Sequence, residues 1–217
     1  MTRTLPFLVS LLLGLDLVVA QSLGKGKEVH PAITTYQCTK KKGCKKQTSY
    51  IVLDSAMHPI YQKKNPSLGC GDWGSAPNKT VCPDAKKCNE NCVMDAISDY
   101  SQYGVKTSGS NLYLDMIRDD GSTISPRAYL LDGDQHKYDL LKLTGYEFTF
   151  DVDVSKLPCG MNGALYLGEM DKYGGRSHLN KGGAEYGSGY CDAQCYTFPF
   201  LEGVVSPTHP ILHQQPN

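Results

Sequence analysis

Glu169 and Asp171 stand two residues apart near the end of a short apolar run, Ala164–Met170. Carboxylates so placed could share acid–base work in a hydrolysis, one giving a proton while the other attacks or withdraws one. The chain then turns glycine-rich, at Gly174, Gly175, Gly182, Gly183, Gly187 and Gly189, and closes on Cys191-Asp-Ala-Gln-Cys195. A strand that feeds a polar, cysteine-pinned loop is where β-proteins build sites. Parity weighs against the acid pair. Side chains alternate along a strand, so Asn162, Ala164, Tyr166 and Gly168 share one face and Leu165, Leu167, Glu169 and Asp171 the other. The leucine face suits a core with the two acids at its solvated end, whereas the face with Asn162 and Tyr166 suits a polar cleft. Glu169 and Asp171 are therefore read as a decoy, and no catalytic residue is assigned.

The rest of the chain must hold that stretch in place, and its cysteines are the first candidates. Nine occur, at 38, 44, 70, 82, 88, 92, 159, 191 and 195. Residues 1–20 read as a secretory signal peptide: Arg3, an apolar run from Leu5 to Leu15, and small residues at Val18-Val-Ala20. A buried N-terminal helix is the competing reading. The run is too short to span a membrane, and Asp16 interrupts it. A secreted, extracellular protein starting at Gln21 is expected, and in that compartment cysteines form disulfides before they bind metal. Zinc at Cys70, Cys82, Cys88 and Cys92 is the alternative, but the spacing lacks a paired CxxC. No metal or other cofactor is expected. Because nine is odd, at least one cysteine has no partner within the chain.

Twenty-two basic and twenty-two acidic residues cancel, so charge gives no case for nucleic acid or an anionic membrane. The basic cluster Lys40-Lys-Lys-Gly-Cys-Lys-Lys46 reads as a solvated turn. Strand patterns occupy Ile33–Gln37, Ser49–Leu53, Val105–Ser108, Asn111–Ile117, Ser125–Leu131 and Tyr138–Leu143, with turns at Ser108-Gly-Ser110, Asp119-Asp-Gly121 and Asp132-Gly-Asp134. Tyr146–Val154 alternates most cleanly, with Tyr, Phe, Phe, Val and Val on its even positions and Glu, Thr, Asp and Asp between them. The stretch from Pro59 to Pro83 is loop-rich and carries the glycosylation sequon Asn78-Lys-Thr80. Frequent strands with hardly any helical periodicity predict an all-β antiparallel sandwich. Residues 196–217 carry no strand pattern and read as a tail.

Several blocks resemble the family 7 glycoside hydrolases, the secreted fungal cellulases. They include Thr34-Thr-Tyr36 with Cys38 and Cys44, Cys82-Pro-Asp84 with Cys88 and Asn91-Cys92, Thr107-Ser-Gly109, Pro126-Arg127 and Phe150-Asp-Val-Asp-Val154. Tyr129-Leu-Leu131, Leu157-Pro-Cys159, Asn162-Gly-Ala-Leu-Tyr166, Met170-Asp171 and Tyr186-Gly-Ser-Gly-Tyr-Cys-Asp-Ala-Gln-Cys195 complete the set in the family's order. The resemblance implies a concanavalin-like β-jelly roll, disulfide-stapled, incomplete here and spanning 21–195. It also implies retaining hydrolysis of β-1,4-glucan, with cellulose as binding partner, and a monomer is expected. The family's catalytic motif is Glu-x-Asp-x-x-Glu. Here Gly174 stands where the second Glu belongs, and this acid pair precedes the Cys-Asp-x-Gln-Cys block that the family's motif follows.

The resemblance implies disulfides 38–44, 70–92 and 82–88. It leaves Cys159, Cys191 and Cys195 unpaired, because their family partners lie further downstream. The chain thus reads as the first half of such an enzyme, ended before its catalytic residues by a retained intron or a faulty gene model, and it is predicted to be inactive as written. Arg127, Asn162, Tyr166, Asp192 and Gln194 match positions that line the family's cleft. The bland alternatives are an Arg127–Asp192 structural ion pair and a core Tyr166. The chain departs from the family at Met57 and Pro59, where tryptophans are usual. A lectin-like sandwich that binds glucan without cutting it is the rival function, and a small cysteine-rich interaction protein is a third.

Overall fold

The computed structural model describes residues 22–71 and 78–190. The segment expected to be a signal peptide, together with Cys191, Asp192, Gln194, Cys195 and residues 196–217, therefore lies outside the described residues. Its central element is an antiparallel sheet of β1 (Ala32–Thr39), β2 (Gly43–Leu53) and β7 (Ala128–Leu131), in the order β1-β2-β7. Two small antiparallel pairs flank it: β3 (Ile60–Gln62) with β4 (Cys92–Met94), and β5 (Val105–Ser108) with β6 (Asn111–Leu114). Of the basic cluster only Lys40–Lys42 form the exposed β1–β2 turn, while Gly43–Lys46 open β2, where Cys44 faces Cys38 directly in register and is bonded to it.

β2 is polar and exposed at its start and apolar at its end, and the switch decides where the core sits. Ile51 and Leu53 pack on one side with Ile33, Ile97, Tyr100 and Val105. Val52 packs on the other with Leu131, Tyr138 and Ala184. An apolar run buried on both faces is what a covered central strand requires. A third cluster is made by Cys70, Cys82, Cys88 and Cys92 with Ile60 and Val81 around them. Here the bonds 70–92 and 82–88 stack side by side, with the sulfurs of Cys82 and Cys92 3.4 Å apart. All four sulfurs are thereby engaged, which leaves no thiolate for zinc.

Two expectations are corrected. A helix, α1 (Ala85–Asn91), lies between the stapled cysteines; the Asp84 carboxylate caps it by accepting from the Lys87 N–H. It has no apolar period to betray it, because two disulfides and a cap hold it in place of a buried stripe. The second correction is larger. Neither Tyr146–Val154 nor Ala164–Met170 is a strand, and of Tyr138–Leu143 only a single bridge, Leu131 to Tyr138, remains. The alternation is present in these runs, but a strand needs a ladder partner, and the described residues supply none. Both faces of 146–154 are exposed, the apolar one included.

Beyond that arm the glycine-rich loop folds back onto β2. Tyr138 donates to the Ser188 carbonyl at 2.6 Å, and the Ser55 N–H donates to the Gly187 carbonyl at 3.1 Å. Buried Asn180 donates to the Gly174 carbonyl and accepts from the Gly183 N–H. Gly187 has a left-handed backbone, φ +64°, and a Cβ there would collide with the Leu53 carbonyl oxygen. Only glycine permits so close an approach. That approach carries Tyr190 to the end of β2.

Candidate functional site

The β2–β7 register sets Leu53 opposite Ala128, so Asp54 and Arg127 meet just past the paired ends. The Asp54 N–H donates to the Arg127 carbonyl at 2.8 Å. Their side chains then join again: the Arg127 Nε donates to Asp54 Oδ2 at 3.0 Å, and the Tyr129 hydroxyl donates a short hydrogen bond to the same oxygen. Asp54 Oδ1 accepts from the Ala56 N–H at 2.9 Å, so the buried carboxylate is satisfied on both oxygens. Burial works against the Arg127 charge. The Asp54 carboxylate and the nearby tyrosine hydroxyls outweigh it and hold the guanidinium above its ordinary value. Burial, reinforced by Asp54, pushes the Tyr129 hydroxyl far above the usual tyrosine range.

The outer surface of this cluster is aromatic. The Arg127 guanidinium carbon lies 4.9 Å from the centre of the Tyr190 ring, within cation–π range. Tyr190 in turn meets Tyr129 at 5.7 Å and Tyr166 at 5.9 Å between ring centres. Gly168 lies beneath the Tyr190 ring, where a Cβ would stand 3.4 Å from its edge. Tyr166 and Gly168 thus share a face, as strand parity requires, although no strand forms. Tyr166 keeps 53% of its surface in solvent. A fixed cation beside partly open tyrosine rings offers hydroxyl contacts at one edge and an apolar ring face at the other, which suits a polar, flat-faced ligand such as a sugar.

The other sequence candidates fall elsewhere. Asn162 is exposed, and no hydrogen bond ties it to the Arg127 cluster among the described residues. Glu169 is exposed. Asp171 caps the turn that follows it, with Oδ1 accepting from the N–H groups of Tyr173 and Gly175, both at 2.9 Å. Cys159 is free and exposed. Asn78 is exposed, its side-chain oxygen accepting from the Thr80 N–H at 2.9 Å. Met57 turns inward against the Ile51 cluster. Beside it, buried His58 places its Nε2 3.3 Å from the Glu28 carboxylate, off the line of a hydrogen bond. Glu28 itself accepts from the Ile97 N–H and the Tyr100 hydroxyl.

The profile of glycosyl hydrolase family 7 matches residues 23–212. The chain belongs to that family. Endoglucanase EG-1 of Humicola insolens is 58% identical over 198 residues, covering 91% of this chain and 45% of that protein. Endoglucanase type C of Fusarium oxysporum is 52% identical over 196 residues, covering 88% and 45%. The native Humicola insolens endocellulase EGI structure superposes with a TM-score of 0.76 at 56% identity, covering 84% of this chain and 46% of that one. A family 7 cellobiohydrolase from Daphnia pulex does so at 0.71 and 34% identity. The chain spans less than half the length of these relatives. Its sheets and disulfides are an incomplete share of a β-jelly roll.

No helix among the described residues is long and apolar enough to cross a membrane. Asp54, Tyr129 and Tyr190 belong to the candidate cluster without having been singled out from sequence as cleft residues. Tyr190 stands inside the block that carries the strongest resemblance and was within reach. Asp54 was not, because its role exists only through a register that joins residues 73 positions apart.

Proposed function

We propose that this chain supplies one wall of the glucan cleft of a secreted, extracellular family 7 β-1,4-glucanase, and that alone it binds cellulose chains without cutting them. The observation that carries the reading is the Arg127 guanidinium, held by Asp54 and Tyr129 against the ring of Tyr190 and beside Tyr166. Relatives named endoglucanases supply the substrate class, and a relative solved as "endoglucanase I complexed with cellobiose" shares the fold at a TM-score of 0.74. In this reading Arg127 meets sugar hydroxyls while Tyr166 and Tyr190 offer ring faces.

Retaining hydrolysis needs two carboxylates about 5 Å apart on either side of the scissile bond. Asp171 Oδ1 accepts from two turn N–H groups and Gly174 stands where the motif's second Glu belongs, which supports the reading that Glu169 and Asp171 are not such a pair. Cellulose pull-down and reducing-sugar release from carboxymethyl-cellulose test both halves of the reading. The expected result is retention that Arg127→Ala and Tyr166→Ala weaken, with no sugar released. Release that disappears in Glu169→Gln would restore the acid pair to catalysis, and failure to bind cellulose would remove the cleft assignment.

A further inference from the structure

The tip of the β1–β2 hairpin concentrates charge that nothing around it neutralises. Five of the twenty-two basic residues, Lys40, Lys41, Lys42, Lys45 and Lys46, fall within seven positions, which leaves seventeen against twenty-two acidic residues elsewhere. All five are exposed. No carboxylate lies within ion-pair distance of any of them among the described residues. Like charges so crowded repel one another, and the Cys38–Cys44 bond closes the ladder directly behind them and holds them together. The ladder adds a second feature. Its register sets Tyr36 directly opposite Lys46, and the Tyr36 ring keeps 57% of its surface in solvent. Side chains opposed in this way have Cβ atoms about 5 Å apart. On the other face Lys45 opposes Gln37, whose amide oxygen accepts from the Gln47 amide at 3.2 Å.

An open aromatic ring beside one cation, with a row of further cations beyond it, matches a polymer of sugar rings that carry carboxylates. We propose that this hairpin tip binds acidic, uronate-bearing polysaccharide. One sugar ring stacks on Tyr36 with its carboxylate at Lys46, and carboxylates further along the polymer meet Lys40, Lys41 and Lys42. Lysine supplies hydrated point charges, whereas the planar fork suited to phosphates and bases belongs to arginine, and the tip has none. Positions 39–46 also offer no apolar side chain to enter a bilayer beyond the bonded Cys44. A carboxylated glycan is therefore favoured over nucleic acid and over a membrane. The eleven residues of β2 put the tip about 30 Å from Asp54 at the strand's other end. The tip is thus separate from the Arg127 cluster, and the proposal does not depend on the glucan-cleft reading.

The probe is fluorescein-labelled decagalacturonate, titrated with the full chain with its disulfides intact and read by fluorescence anisotropy. The expected result is binding that weakens at least about tenfold between about 50 and about 200 mM NaCl, as the release of counterions requires. Lys40→Gln, Lys41→Gln and Lys42→Gln combined should lower the affinity about tenfold and flatten that salt dependence. Tyr36→Ala should lower it about fivefold and leave the salt dependence intact, since it removes a ring face and no charge. All four side chains are exposed, and unchanged hydrogen exchange across β2 shows that the variants are still folded. Absence of binding at the lower salt overturns the proposal, and so does full affinity in the triple lysine variant. Duplex DNA or phosphatidylserine vesicles bound as tightly as the glycan overturn it too, because the patch would then respond to charge alone. Retention on cellulose should be the same in the triple lysine variant, so failure at the tip and failure of the cleft reading are told apart.

Discussion

Asp54 carries more of the site than any residue that touches solvent there. Its carboxylate holds the Arg127 side chain and the Tyr129 hydroxyl at once, so its loss frees both. Asp54→Asn is expected to weaken cellotetraose binding about tenfold, or about 1.4 kcal/mol, by titration calorimetry. Unchanged affinity would show that Arg127 is oriented without it. The tyrosines make a second prediction. Burial first, with nearby carboxylates adding to it, raises the hydroxyls of Tyr100, Tyr129 and Tyr138 well above the ordinary value. Unfolded tyrosine ionises near pH 10. A raised folded value means this stability is fully present below about pH 10 and is lost as pH rises beyond it, at up to about 1.4 kcal/mol per pH unit for each group. Urea midpoints followed from about pH 8 to about pH 11 should show the fall, and Tyr129→Phe should make it shallower. At this scale the sequence was informative about types and poor about partnerships. Arg127 and Tyr166 could be named in advance. That Tyr166 leans on Tyr190, and that Arg127 is braced from behind, depends on contacts no spacing rule reaches.

The site is assembled by three elements, and the loop holds the tightest joint. A Cβ at Gly187 has to displace the Leu53 backbone and adopt a left-handed conformation, while Gly109 shares that conformation with open space around it. Gly187→Ala is therefore expected to lower unfolding free energy by more than about 2 kcal/mol, and Gly109→Ala by about 1 kcal/mol. Denaturant melts of the two variants provide the check, and equal losses would mean that the close approach at Gly187 is not maintained. β1, β2 and β7 were legible because their alternation and their partners both lie within the chain. Tyr146–Val154 was equally legible as a pattern and still formed no strand. A period of two states what a segment is suited to, and pairing needs a second segment to meet it. α1 erred the other way, since seven residues between disulfides can be helical without any apolar stripe.

Taken whole, the molecule is unevenly secured. β2 is buried on both faces at its end and the cysteine cluster is bonded twice, while the arm from 140 to 169 is almost entirely exposed. Limited proteolysis should therefore cut first within that arm and spare 43–53 and 173–190, as mass spectrometry of the fragments would reveal. Early cleavage in the glycine-rich loop would contradict the packing described for it. The joint between Ser55 and Gly187 also sets a timetable. The β1–β2 hairpin closes a turn of a few residues, whereas the contact that delivers Tyr190 closes a loop of well over a hundred. Short loops close early and long ones late. In a stopped-flow refolding experiment with the disulfides intact, amide protection across β1 and β2 should precede any signal from Tyr190. The proposed cleft wall is then the last feature to appear, and any binding of cello-oligosaccharide during refolding becomes a clock for the arrival of the native state.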